Sequence, residues 1–574
     1  MIDPGVVGIF TLDNILVKGR RRRRDKAETG TNMQENSSLA VLVVDPNPGM
    51  RTSLQNMLAT IGIGKVEYAV NANTAIRQLS KRAYDLVLCE YDLAGGSAEG
   101  QDGQQLLEDL RHHDLMSAST IFIMLTAEGV YDKVVSAAEL TPTDYVLKPF
   151  TVDLLSGRIG RALERRAALL PAWQQQAAGK LREAIRTCQQ GQAGQPRYAN
   201  DFARIRAELH IALGEHHEAA NLYRQVMTER PMGWAALGLA RCLLAQNEVD
   251  DARFILDELL ISNPRLMAAY DLLARCLESE GEAVLARKVL ADAVAISPHV
   301  VRRLRKLGEV SLATGDAEGA ERSFKQVVSK ARYSEFRDPE DHVNLVRALV
   351  TRGDLIQATG VIRDLERSLR GSPAADACKA YANALLHDKT GNGNAAVADL
   401  QAAVSAVRAS SGLSPNIKMD MARACLEHRL DEQAADVMMT VANDAHSGVS
   451  VDQAMGVFVK AGRADLADGM GQQLKAQAQI LLGVADEKRN MGDVRGAAQT
   501  LMEALHIAPH NLQIMVATAG GILRQVNELG WDHPLGQTAG TLLDRIRAQD
   551  PLHPRLTTLV EEYQAARRKY GIAG

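Results

Sequence analysis

The pentapeptide Leu239-Ala-Arg-Cys-Leu243 returns as Leu273-Ala-Arg-Cys-Leu277, 34 residues further along the chain. It is one beat of a longer rhythm. Alanines inside helical periods stand at Ala219, Ala252, Ala286, Ala320, Ala358, Ala396 and Ala434, and again at Ala497. The first three steps are 33, 34 and 34 residues and the next three are 38. Four residues after each alanine comes a large apolar side chain: Tyr223, Leu256, Leu290, Phe324, Ile362, Leu400, Met438 and Leu501. Glycines five residues before the alanine (Gly214, Gly281, Gly315, Gly353, Gly492) mark a turn, and prolines close blocks at Pro231, Pro264 and Pro298. Residues four apart share a helix face, and two helices approach closely where one side chain is small. A period of this length holds two helices and two turns. One such pair cannot bury its own apolar face, so the repeats must stack into a continuous core.

A helix–turn–helix period of 34 residues with small, large and proline positions resembles the tetratricopeptide repeat. The likeness spans residues 199–510, with seven or eight repeats that degenerate after Arg332. Composition agrees. About one residue in seven is alanine and only 4% are aromatic, which argues against a β-sandwich or propeller. A helical linker is expected over 166–198, built from stretches at Val152–Ala168 and Trp173–Gln190. Capping helices are expected over 511–574, where Asp550-Pro-Leu-His-Pro554 reads as a worn repeat boundary. The resemblance implies a concave face, lined by the first helix of each repeat, that binds a protein or peptide. In this register Arg241, Arg275, Arg347 and Arg423 hold the same place in that first helix. Stacked repeats would set them in a ladder for an acidic peptide segment, because a guanidinium forks onto carboxylates. The alternative is that each pairs with an acid of the array or is solvated.

Ahead of the repeats the pattern changes. Ala40–Val44 is a short apolar run ending in Asp45, and further runs come at Lys65–Val70, Leu86–Cys89, Ile121–Leu125 and Tyr145–Leu147. Helical periods lie between them at Met50–Thr60, Thr74–Lys81, Gln104–Arg111 and Tyr131–Leu140, with another from Val152. Strands alternating with helices over residues 39–165 make a doubly wound α/β domain, whose crevice lies at the carboxyl ends of the strands. The expected fold class is therefore multidomain: a flavodoxin-like α/β domain followed by an all-α solenoid.

Five blocks at those strand ends are Val43-Val-Asp-Pro-Asn-Pro48, Asp85-Leu-Val-Leu-Cys-Glu90, Asp102-Gly103, Leu125-Thr-Ala127 and Asp144-Tyr-Val-Leu-Lys-Pro-Phe150. In order and spacing they resemble the receiver domain of bacterial response regulators. That likeness implies strand order 2-1-3-4-5 and an acidic Mg²⁺ site beside an aspartate that accepts a phosphoryl group from a histidine kinase. It implies that Asp45 is the first acid, Thr126 the phosphoryl-contacting hydroxyl, Lys148 the neutralising cation and Tyr145 the aromatic switch. Two positions depart from the family pattern. Pro46 replaces the second acid and has no side-chain oxygen, and Glu90 stands at the phosphoacceptor place. Mg²⁺ demands tight octahedral oxygen geometry, so its binding should be weak. The extra methylene of Glu90 should put phosphoryl transfer out of line. Reaching toward Lys148 and Thr126, Glu90 would instead resemble a fixed negative charge. Asp92 is a substitute acceptor candidate, two residues beyond the strand end. The loop from Glu90 to Asp102 is about five residues longer than is usual in the family, and is expected to be a tolerated surface insertion.

Residues 1–38 show neither period. They carry Lys18, Arg20–Arg24 and Lys26, a run that suits a solvated tail or an arm for nucleic acid. Met33 is an alternative start, which would leave residues 1–32 outside the working protein. The net charge is −4, so nucleic acid is not the default partner of the whole chain. No run reaches membrane-spanning length, and a cytoplasmic location is expected. Cys89, Cys188, Cys242, Cys276, Cys378 and Cys425 form no paired motif and read as buried thiols. Neither these nor the histidines (His112-His113, His210, His216-His217, His428) have metal-ligand spacing. No phosphate loop, nucleophile elbow or zinc-protease motif occurs, so neither catalysis nor a cofactor is expected. The leading expectation is a two-component signalling adaptor whose repeats bind a protein, with a histidine kinase or other signalling protein as a partner of the receiver. A phosphorylatable regulator and a nucleic-acid-associated regulator are the alternatives.

Overall fold

The computed structural model describes residues 36–93, 102–127, 142–229, 232–298, 300–331, 337–369, 371–410, 412–444 and 449–570. The chain falls into two compact units that part between Ala178 and Gly179. The basic tail (except its last three residues), the middle of the Glu90–Asp102 loop and the helix expected at Tyr131–Leu140 lie outside the described residues.

The first unit is a parallel sheet of five strands in the order β2-β1-β3-β4-β5. The strands are β1 (Ala40–Val44), β2 (Lys65–Ala69), β3 (Leu86–Glu90), β4 (Ile121–Ala127) and β5 (Asp144–Lys148). The described helices are α1 (Pro48–Thr60), α2 (Ala72–Leu79), α3 (Gly103–His112) and α4 (Val152–Ala177). Val41 to Val44 are fully buried, as a strand covered on both faces must be. Polar caps start the helices where the strands end. Asn47 accepts from Gly49 N and Met50 N ahead of α1, and Asp102 with Gln105 forms a capping box on α3. The opposite end of the sheet is pinned by Asp85, which accepts from Ala40 N at 2.9 Å and pairs with Arg166 of α4 at 2.7 Å.

The second unit is helical throughout its described length. Its helices run α5 (Leu181–Gly194), α6 (Ala199–Ala212), α7 (His216–Glu229), α8 (Gly233–Ala245), α9 (Val249–Ser262), α10 (Met267–Ser279), α11 (Ala283–Ile296), α12 (Val301–Ala313) and α13 (Ala317–Ala331). They continue as α14 (Pro339–Arg352), α15 (Leu355–Ser368), α16 (Pro373–Lys389), α17 (Gly393–Ala409), α18 (Pro415–Glu427), α19 (Asp431–Ala442), α20 (Val451–Lys460), α21 (Ala464–Asn490), α22 (Val494–Ile507), α23 (Leu512–Leu529), α24 (His533–Gln549) and α25 (Leu556–Lys569). Consecutive helices pack on one another. Seven of the eight periodic alanines are fully buried and the eighth, Ala497, is 5% exposed; every large residue four positions on is buried too. The wedges meet a second small residue across the stack. A Cβ added to Gly308 would stand 2.6 Å from the Phe324 ring, and Gly238 faces Tyr223 in the same way. The six cysteines are buried free thiols.

The turns obey one rule. Gly214, Gly281, Gly315, Gly353 and Gly492 have φ between 75° and 84°, a left-handed conformation that glycine adopts without a Cβ penalty. Asn247, Gly391 and Arg429 hold the equivalent place in the remaining repeats, at φ 64°, 76° and 60°. The lengthened period has a simple origin in its second and third 38-residue steps. α16 and α17 have 17 residues each where α10 and α11 have 13 and 14. Four extra residues are about one helical turn, so the apolar face keeps its direction. The 63-residue step from Ala434 to Ala497 accommodates the additional helix α20 and the 27-residue α21.

One expectation about the joints needs correction. The stretch 166–198 is not a separate linker. Its first part completes α4, which runs through Pro171, and its later part is α5, which packs on α6 as the stack's first described helix. Gly191 lies against the Phe202 ring there, the same small-on-large contact as inside the array. At the other end, the helices expected over 511–574 are α23–α25, with α23 packed on α22, α24 and α25.

Candidate functional site

Three charged side chains converge at the carboxyl edge of the sheet. Asp45 follows β1 directly and is 1% exposed. Its Oδ1 accepts from Asn47 N at 2.8 Å, and its Oδ2 faces Lys148 Nζ at 3.6 Å. Glu90, the last residue of β3, is ion-paired through Oε2 with the same Lys148 ammonium. The Glu90 Oε1 accepts from Asp92 N at 3.2 Å. One lysine from the end of β5 thus serves two carboxylates from the ends of β1 and β3. Parallel register explains the meeting: β1 and β3 are hydrogen-bonded neighbours, and Glu90 pairs with Leu125 of β4, one step from Thr126.

The remaining expected residues surround this triad. Pro46 presents only its backbone carbonyl, which accepts from Arg51 Nη1 at 3.0 Å. Thr126 is fully buried and its hydroxyl donates to the Ala127 carbonyl at 3.4 Å. The Tyr145 hydroxyl is buried within the unit. Asp92 is exposed. Gly103 explains why Asp-Gly opens α3. A Cβ there would come within 2.5 Å of the Glu90 carbonyl oxygen and 2.9 Å of Met124 Sδ, so only glycine lets the helix start so near the β3 end. The buried Cys89 thiol is pushed well above its ordinary range by desolvation first, then by the neighbouring Glu90 carboxylate. As a donor set the edge offers, among the described residues, two side-chain carboxylates, both facing the Lys148 ammonium.

The arginine ladder divides. Arg241 on α8 and Arg275 on α10 are exposed. Arg347 on α14 and Arg423 on α18 both close on Asp420, at 2.6 and 2.5 Å. Both line a cavity of about 430 Å³ bounded by α12, α14 and the start of α18. Arg305 grips the buried Asp341 there with two bonds of 2.6 and 2.7 Å. Glu340, in the first turn of α14, reaches Ser414, the N-cap of α18; it accepts from Ser414 N and from Ser414 Oγ, both at 2.5 Å. Sequence reading missed Arg305, Glu340, Asp341 and Ser414. The available signals were Asp338-Pro-Glu-Asp341 and Ser414-Pro415, two helix starts with acids or a hydroxyl beside a proline.

Comparison with known proteins follows the same division. Residues 41–160 match the family model described as response regulator receiver domain, and residues 210–276 match one described as tetratricopeptide repeat. Among curated proteins, chemotaxis protein CheY-3 of Vibrio cholerae is 27% identical over 130 residues, 23% of this chain and 95% of that protein. Chemotaxis protein CheY of Pseudomonas aeruginosa is 28% identical over 127 residues, 22% of this chain and 98% of its own. Among solved structures, a tetratricopeptide repeat protein from Parabacteroides merdae aligns with 48% of this chain and 98% of its own, at 14% identity and a TM-score of 0.31. No described helix is long and apolar enough to cross a membrane.

Proposed function

Because the chain joins a response-regulator receiver domain to an array of tetratricopeptide repeats, we propose that it is a cytoplasmic signalling adaptor of the two-component type. Its receiver is not phosphorylated in the usual way, and its repeats recruit a protein partner. The ion pair between Glu90 and Lys148 carries this reading. Lys148 is the cation that the family resemblance assigns to neutralising a phosphoryl group, and here it is engaged by a resident carboxylate. Phosphoryl transfer depends on positioning and on charge stabilisation by metal and lysine. With Pro46 in place of an acid and Glu90 on the lysine, both are lost, and Mg²⁺ binds weakly. The triad acts as a permanent charge in place of a reversible one, and signalling runs through protein contacts. The array is a non-enzymatic module whose stacked helices present the binding surface.

Incubating the full chain with acetyl phosphate and Mg²⁺, then measuring intact mass, tests the receiver. No mass gain is expected. A gain of one phosphoryl group, at Asp92 or any other acid, overturns the reading. Capture of partners from a bacterial lysate with the full chain tests the adaptor role, which fails if nothing is specifically retained.

A further inference from the structure

Two consecutive second helices of the array, α9 and α11, break the polar pattern of the second helices on either side. Counted from the periodic alanine, the positions two and nine residues on hold Asn221 and Thr228 on α7, and Arg322 and Ser329 on α13, all exposed. On α9 the same positions hold Phe254 and Ile261, 67% and 78% exposed. The two positions just before the alanine hold His217 and Glu218 on α7, and Glu318 and Gly319 on α13. On α11 they hold Val284 and Leu285, 61% and 44% exposed. The buried sides of these helices are already filled by Ala252, Leu256 and Leu259 on α9 and by Ala286, Leu290 and Ala293 on α11. The fold therefore does not require the exposed apolar groups, and a cluster of them marks a contact surface.

The two faces are neighbours. Arg253, beside Phe254, bonds Glu280 and Glu282 at 2.9 and 3.4 Å, and Glu282 is the residue before α11. Phe254 and Ile261 stand two turns apart on one helix, about 10 Å, the spacing at which an amphipathic helix presents its anchors.

Charge selects what covers this surface. Asp250, Asp251, Asp257 and Glu258 flank Phe254 and Ile261; all four are exposed, and none has an ion-pair partner among the described residues. The exposed side of α11 adds Asp292 and Lys288. Five acids against one lysine disfavour a second copy of the same surface, because a two-fold contact would set acids against acids. They also disfavour an anionic lipid surface. They complement a segment whose apolar residues are flanked by cations.

We propose that α9 and α11 form a docking surface for an amphipathic helix of a partner protein, whose apolar stripe covers Phe254, Ile261 and Val284 and whose flanking lysines or arginines meet the α9 acids. The inference rests on the reading of the array as a protein-binding module. It places this contact on second helices rather than on the first helices that carry Arg241 and Arg275.

Two fluorescent peptides of about 18 residues, five helical turns, carry leucines at helical spacing; one has lysine at the flanking positions and its twin has glutamate. Both are titrated against the full chain by anisotropy. The lysine peptide should bind about tenfold tighter than its twin. Phe254→Ser with Ile261→Ser should weaken the lysine peptide by about tenfold, the loss of two apolar anchors. Asp257→Lys with Glu258→Lys should turn the preference toward the glutamate twin, while Arg241→Ala with Arg275→Ala should change neither affinity. These side chains are all exposed, and circular dichroism of each variant confirms an intact array. A lysine-peptide affinity unmoved by both α9 pairs overturns the inference. So does a loss confined to Arg241→Ala with Arg275→Ala, which keeps the adaptor reading. A dimer in analytical ultracentrifugation that Phe254→Ser with Ile261→Ser dissolves overturns it in favour of a second copy. Co-sedimentation with phosphatidylcholine vesicles that the same pair abolishes overturns it in favour of a membrane. If neither peptide binds, the inference falls, and the lysate capture decides the adaptor role separately.

Discussion

The two units each hold a cluster of three charges, built with opposite signs. In the receiver a lysine stands between two carboxylates, Asp45 and Glu90; in the array a carboxylate, Asp420, stands between two guanidiniums, Arg347 and Arg423. Their surroundings differ more than their signs. The outer charges of the receiver triad are 2% and 13% exposed, against 30% and 51% for the outer arginines of the array. Water screens what it reaches, so the receiver triad depends on its central charge and the array triad depends on it far less. A central charge is structural where its neighbours are buried and adjustable where they are wet.

Removing the centre of the receiver triad is the hardest test of that contrast. Lys148→Met leaves Asp45 and Glu90 facing each other with no cation. Breaking a buried pair in this way costs about 3 kcal/mol. Urea unfolding followed through the receiver transition should show that loss at pH 8. An unchanged midpoint would mean that the ammonium contributes nothing and that solvent already screens both acids.

Much of this was legible in the chain, for reasons that differ by region. The alanine and its partner four residues on are a local steric rule repeated in every helix pair, so the spacing alone located Ala219 with Tyr223 and Ala320 with Phe324. Turn glycines were legible for the same reason. Asn247 and Arg429 were not, because a side chain tolerates the left-handed conformation at a cost. Asp45, Glu90 and Lys148 came from family resemblance, and the parallel register brings them together. The array cavity was hidden because Glu340 and Ser414 are 74 residues apart and meet only in the folded stack. Asp420, three residues before Arg423 on one helix face, was the overlooked hint that the ladder is partly self-neutralised.

A middle-sized effect separates the triads from the unpaired acids beside the array cluster. The Glu340 carboxyl is raised from its ordinary 4.5 to about 7, chiefly by burial. Below pH 4.5 it is protonated folded or unfolded and does not affect stability. Between 4.5 and 7 the folded state keeps a proton that the unfolded state has lost, so stability falls as the pH rises. Above 7 the whole penalty stands. After allowance for residual solvent contact it is about 2 kcal/mol. Glu340→Gln removes it. The variant should be more stable than the parent by that amount at pH 8 and equal to it near pH 4, which flattens the pH profile of denaturant midpoints. A parallel profile would show that the parent carboxylate is already solvated.

The smallest effect belongs to the centre of the array triad. Asp420→Asn keeps the shape of the side chain and removes its charge. Arg423 is half in water and loses almost nothing. Arg347 is more covered, but Asn344 Oδ1 still accepts from its Nη1, so it is not left unpaired. The expected loss is about 1 kcal/mol, a third of the Lys148 effect, and added salt should shrink it further because exposed pairs are screened. A loss as large as that of Lys148→Met, and unmoved by salt, would make the array triad as structural as the receiver's.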